Sequence, residues 1–148
     1  MESNVKSPAL VMRVLKYAFV MSAFMFIYIA IEIPVQPNRP VSMQLQMAIA
    51  FVGFMSIVAG FFLPRILFQA AECAPQNNSA EAELGRWMTK GIISLAFFNA
   101  CNLFGLVLHF LHGSVRLVEL LFGAGIAAEL FWSPGAPPNV ERGEFQQN

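Results

Sequence analysis

Apolar residues in this chain come in long runs, with none of the alternation a half-buried strand would show. One run extends from Tyr17 to Ile31, broken only by Ser22, inside a hydrophobic stretch over about 10–33. A second covers about 43–63 and is expected to end at Pro64 and Arg65, because proline lacks the N–H a helix needs. A third, WMTKGIISLAFFNACNLFGLVLHFLHG, covers 87–113, and a fourth, shorter and less apolar, covers about 115–132. About 20 mostly apolar residues carry a helix across a bilayer, so the pattern predicts four spans.

The connections have their own signals. Pro34, Pro37 and Pro40 punctuate the first, and Gly113-Ser114 makes the third very tight. The second, over 69–85, turns at Asn77-Asn78-Ser79, after which Glu81 and Glu83 suit the positive end of a new helix. This loop reads as a solvated hairpin connection or as a docking loop for a soluble partner. The tail SPGAPPNVERGEFQQN, 133–148, is polar and proline-rich and is expected to be disordered. Lys6, Arg13 and Lys16 precede the first run as they would in a signal peptide. That run exceeds the 7–15 residues of a signal core, and no small-x-small site follows, so a retained span is expected. The fold class is all-α: an integral membrane, antiparallel four-helix transmembrane bundle.

The third run is the least lipid-like. It holds Ser94, Asn99, Cys101, Asn102, His109 and His112, each costly in hydrocarbon without a partner. At 100° per residue Ser94, Cys101, Gly105 and His112 fall close to one line, with His109 and Asn102 beside it and Asn99 further round. This half should face other helices, with Ser94, Asn99 and Asn102 as helix-packing polar groups. Gly53, Ser56 and Gly60 form a small-residue strip on the second helix. Gly123 with Ala127, and Ala124 with Ala128, repeat small-xxx-small spacing on the fourth. The third helix is therefore expected to pack against the second and fourth, and Phe19, Phe24 and Phe26 of the first to look outward.

Composition agrees. Of 148 residues 57% are hydrophobic and 12% charged, against about 25% charged in soluble domains, and mean hydropathy is +0.59. A net charge of zero gives no footprint for nucleic acid. Cys73 in the central loop and Cys101 in mid-span are poorly placed to pair. Basic residues are asymmetric: Lys6, Arg13, Lys16, Arg65, Arg86, Lys90 and Arg142 lie on one side of the four spans, Arg39 and Arg116 on the other. The positive-inside rule puts both termini and the central loop in the cytoplasm, with Trp87 and Trp132 as interfacial anchors. The localisation expected is a bacterial cytoplasmic (inner) membrane, multi-pass.

With that orientation His109 and His112 end the third helix on the outer side, Arg116 and Glu119 begin the fourth, Glu32 ends the first, and Gln44 and Gln46 begin the second. Embedded acids and histidines are candidates for function, and histidine titrates near neutrality. Glu119, His109, Glu32, His112 and Arg116 thus form a candidate proton or small-ligand cluster. The other reading is snorkelling interfacial groups with Arg116 paired to Glu119 at i+3. Glu129 near the cytoplasmic end is expected to reach water. His109 and His112 alone make no metal site, and the histidines do not face each other across helices as membrane haem requires. There is no phosphate loop, HExxH or G-x-S-x-G, so no catalytic residue, metal or cofactor is expected.

The run FNACNLFGLVLHFLHG, followed by LFGAGIAAELFWSP, resembles uncharacterised small bacterial four-span membrane proteins whose third helix reads AESxALYGLVLxxLxG. That motif is similar to the carboxylate helix of ATP synthase c subunits. The resemblance implies a four-span fold and adds a proteolipid-like ring subunit to the functions considered. Asn99 stands in the place of the acidic residue and cannot carry a proton, and the first helix lacks the Gly/Ala repeats of a ring. The sequence favours a non-enzymatic accessory or structural subunit, whose partners are the lipid bilayer and other membrane subunits or copies of itself. A small proton-linked transporter using the outer cluster is the alternative.

Overall fold

The computed structural model describes residues 8–33, 41–72 and 80–138. Lys6, Pro34, Pro37, Arg39, Pro40, Cys73, the Asn77-Asn78-Ser79 turn, Arg142 and the tail from 139 onward lie outside them. Four helices follow in order: α1 (Pro8–Glu32), α2 (Met43–Glu72), α3 (Ala80–Phe110) and α4 (Val115–Phe131). Pro8 opens α1, where its missing N–H costs nothing, and Glu81 and Glu83 occupy the first turn of α3. Over Pro8–Glu32, Met43–Gln69 and Glu81–Phe110 the first three are long and apolar enough to cross a membrane. The 17 residues of α4 extend only about 26 Å.

The hub is α3. Its backbone runs close to each of the other three helices, whereas among the described residues no Cα of α1 lies within 8 Å of one in α2. Accordingly α1 buries only Met12, Val20 and Ala23. Two apolar clusters fill the interior. Met12, Leu95, Phe98 and Ala128 pack near one end, roofed by Trp87 and Trp132. Cys101, Leu106, Leu108, Val118, Leu121 and Phe122 occupy the rest with Ala50 of α2. The first helix is less outward-looking than expected: Phe24 is exposed, but Phe19 and Phe26 are half-buried against these clusters. They lie on the side of α1 nearest α3, which a wholly apolar helix does not announce.

Close approach of α2 and α3 depends on the small-residue strip. A Cβ on Gly60 would sit 2.7 Å from the Phe98 ring of α3, and one on Gly53 would sit 3.3 Å from Phe104 Cβ of α3 and 2.7 Å from Leu121 Cδ2 of α4. Contrary to the expectation of a stop, α2 runs on through Pro64 to Glu72. The proline removes the N–H that would serve the carbonyl four residues back, that of Gly60. Ser94 of α3 replaces it, its hydroxyl donating to Gly60 O at 2.8 Å. Ser56 donates in the same manner to Gly53 O at 2.6 Å within α2.

Both ends of the bundle are tied. At one, Lys16 Nζ donates to Leu130 O (2.7 Å) and Trp132 O (2.8 Å), satisfying carbonyls at the C-terminus of α4. Trp87 Nε1 donates to Pro134 O at 3.1 Å, holding the residues that follow α4 against α3. At the other, α3 ends in a left-handed turn: His112 has φ 57°, and Gly113 N–H returns to Leu108 O at 2.8 Å. This is the Schellman arrangement, with histidine where glycine is usual. Ser114 opens α4 without capping it through its own hydroxyl. Its N–H is accepted by Oε1 of the buried Gln46 at 3.0 Å, whose Nε2 donates to Val41 O at 2.9 Å.

Ser94→Ala should therefore destabilise the fold by about 1 kcal/mol, the usual net contribution of one hydrogen bond. In a Pro64→Ala background the helix regains its own donor for Gly60 O, and the cost of Ser94→Ala should fall to near zero. A double-mutant cycle of unfolding in detergent micelles measures this; equal costs in the two backgrounds would refute the exchange.

Candidate functional site

The outer-end residues divide by environment. Glu32 in the last turn of α1, and Arg116 and Glu119 in the first turns of α4, are exposed. Arg116 and Glu119 border an open hollow with Phe54, Leu120 and Gly123. Among the described residues no ion pair joins them, so the i, i+3 pairing expected from sequence does not form. His109 is half-buried, with its ring edge-on to Phe110 at 5.7 Å and its Nε2 buried without a hydrogen-bond partner. His112 occupies the left-handed turn, and Gln46 ties α2 to the start of α4. Gln44 is exposed.

The interior holds a different polar group. Asn102 is fully buried, and its Nδ2 donates to Oε1 of Glu129 at 3.2 Å. Glu129 is also fully buried, which corrects the expectation that it reaches water. It stands two residues from the end of α4, but Lys16 binds the carbonyls beyond it and Trp132 packs edge-on against Phe98 at 6.1 Å, covering that end. Along α4 it continues the inward stripe of Val118, Leu121, Phe122, Gly125 and Ala128. Its position on that stripe, more than its distance from the helix end, was the signal to read.

Two oxygens of this pair are left over. Glu129 Oε2 and Asn102 Oδ1 are buried without hydrogen-bond partners, and so is Asn99 Oδ1 one turn earlier on α3, where Asn99 is half-buried. All three are acceptors in a carboxylate or amide. Nearby, the buried Cys101 thiol donates to Leu121 O at 3.3 Å. Such a site is suited to take one more donor, whether water, a hydroxyl or a proton, between Glu129 and Asn102. Among the described residues no group of three or more His, Cys, Asp or Glu side chains is placed to hold a metal ion.

Glycine makes the pair possible. A Cβ on Gly125 would run into the Asn102 amide, whereas Gly123, expected to be a packing position, faces nothing within 4 Å. No protein family, curated protein or solved structure matches the chain.

Gly125→Ala should displace the Asn102 amide from Glu129 and cost about 1–3 kcal/mol, as overpacking does. Gly123→Ala should cost nothing and gain up to about 1 kcal/mol from the helix preference of alanine over glycine. Thermal unfolding of the two variants in detergent checks this; similar effects would show that Gly125 is not the contact.

Proposed function

We propose that the chain is an integral membrane protein whose four helices all cross a bilayer as an antiparallel bundle, and that it serves as a non-enzymatic accessory or structural subunit. Support for the crossing comes from three long apolar helices and from the register of α4 on α3. Phe98 meets Trp132, Asn102 meets Glu129, and Cys101 meets Leu121, so the fourth helix runs beside the apolar length of the third in the opposite sense. Its shortness is met by tilt or local thinning of the bilayer. Contacts Met12–Gly91, Lys16–Trp132, Trp87–Pro134 and Lys90–Phe68 bring one set of helix ends together. Arg13, Lys16, Arg65, Arg86 and Lys90 belong to that set and Arg116 to the other. The basic end is the cytoplasmic one under the positive-inside rule, in a bacterial inner membrane. Reporter fusions at residue 148 and in the 77–78 loop should both read cytoplasmic; a periplasmic signal from either overturns the topology.

The observation that carries the structural role is where the buried polar groups are used. Ser94, Cys101, Asn102 and Gln46 each bond a neighbouring helix or the turn before it. Their work is to join helices, while the outer faces of α1 and α2 offer Tyr17, Met21, Phe24, Tyr28, Phe51 and Phe62 to lipid or to other subunits.

A second reading, a small proton-linked carrier, is favoured by the unpartnered oxygens of Glu129 and Asn102, and moves its site inward from Glu119. Glu129→Gln separates the two. The amide gives Asn102 Oδ1 an N–H donor, so stability should be unchanged or raised. In proteoliposomes holding a pH-sensitive dye, a structural subunit should leave an imposed proton gradient intact in wild type and variant alike. Dissipation by wild type that Glu129→Gln abolishes would replace the structural role with the carrier.

A further inference from the structure

Between the start of α1, Trp87 of α3 and the residues after α4 lies a cleft of about 470 Å³, within the range of small-molecule sites, about 300–1,000 Å³. We propose that it binds the phosphate of an anionic membrane lipid. The proposal rests on the membrane reading above, which sets the depth of the cleft.

Charge is the first argument. Arg13 and Lys16 both line the cleft, and no carboxylate does among the described residues. Lys16 gives two of its three N–H donors to the carbonyls of Leu130 and Trp132 and keeps one. Those bonds also fix the side chain, so little rotamer freedom remains to be lost on binding. Arg13 is exposed, and its guanidinium fork matches two phosphate oxygens at once. An anion here meets two cations, one of them already oriented.

Depth is the second. Lys16 is the last charged residue before the apolar run that begins at Tyr17 and extends to Ile31. The cleft thus opens where hydrocarbon gives way to headgroups, and Tyr17, Trp87 and Trp132 on its walls are the amphipathic aromatics favoured at that level. Met12 and Leu130 add apolar wall, which suits the glycerol and upper acyl chain of a lipid and offers nothing to a free phosphate. Basic pockets between helices on the cytoplasmic side are the expected seat of anionic headgroups.

The wall contributed by residues after α4 is built. Trp87 holds the Pro134 carbonyl, and Gly135 turns the chain with φ +78°, a conformation other residues adopt only under strain.

The test uses the full chain in mild detergent with equal amounts of phosphatidylglycerol and phosphatidylcholine, read by native mass spectrometry. Wild type should retain phosphatidylglycerol in preference. Arg13→Gln should weaken that retention about five- to tenfold, and Arg13→Lys should weaken it less. Arg65→Gln, which removes an exposed charge from the same end without touching the cleft, should leave it unchanged. Equal retention of the two lipids, or an Arg13→Gln variant that unfolds at the wild-type temperature and binds as wild type, overturns the lipid site. If inorganic phosphate alone binds as tightly as phosphatidylglycerol, the ligand is a soluble anion and the lipid assignment fails. Extraction of the protein from membranes by alkaline carbonate would instead sink the membrane reading, whatever the lipid preference.

Discussion

The carbonyl of Gly60 organises much of this molecule. Pro64 deprives it of its helical donor, and a buried carbonyl without a donor is costly. The hydroxyl of Ser94 supplies one, which requires α3 to lie against α2 at backbone distance. That approach in turn favours glycine at position 60, where a Cβ would meet Phe98 and Phe97, while one on Gly53 would crowd Phe104 of α3 and Leu121 of α4. Once α3 is seated on α2, Asn102 points to the other side, toward Gly125 and Glu129. One proline in α2 and one acid in α4 are thus linked through the register of a single helix.

The polar groups inside are sparse, and they act locally. Each bond between membrane helices contributes on the order of 1 kcal/mol, so they fix register more than they supply cohesion. Cohesion comes from the packing of Leu95, Phe98, Leu108 and Leu121, all fully buried, through many close dispersion contacts. At the ends the bonding changes character. Lys16 and Trp87 bind carbonyls of the segment leaving α4, and Gln46 binds the N–H of the residue entering it. The shortest helix is thereby held by side chains of the other three.

Much of the fold was legible because helical period and hydrophobic length are local properties. The four helices follow from them, and so do the burial of Ser94, Cys101 and Gly105 on one line of α3 and of Gly53, Ser56 and Gly60 on α2. What escaped depends on neighbours. Proline is read as a stop because its lost hydrogen bond is visible in the sequence, while the hydroxyl that replaces it is 30 residues away in α3. Gly123 and Gly125 are equivalent in composition, and only the position of Asn102 decides which of them is a contact. Glu129 was assigned to water from its nearness to a helix end, but the covering groups, Lys16 and Trp132, are brought there by tertiary structure. In the outer cluster the sequence put the right residues at one end, but says nothing of whether side chains meet. Arg116 and Glu119 share a hollow without pairing.

Among the described residues the backbones of α1 and α2 stay apart, with no Cα of one within 8 Å of the other, and this bears on the order of assembly. Chains are made from the N-terminus, and a first helix that pairs with its successor can form a hairpin as soon as both exist. Here, among the described residues, α1 comes close in backbone only to α3 and α4, at residues such as Gly91 and Trp132. The place of α1 is completed only by the bonds of Lys16 to the carbonyls of Leu130 and Trp132, 114 and 116 residues further along the chain.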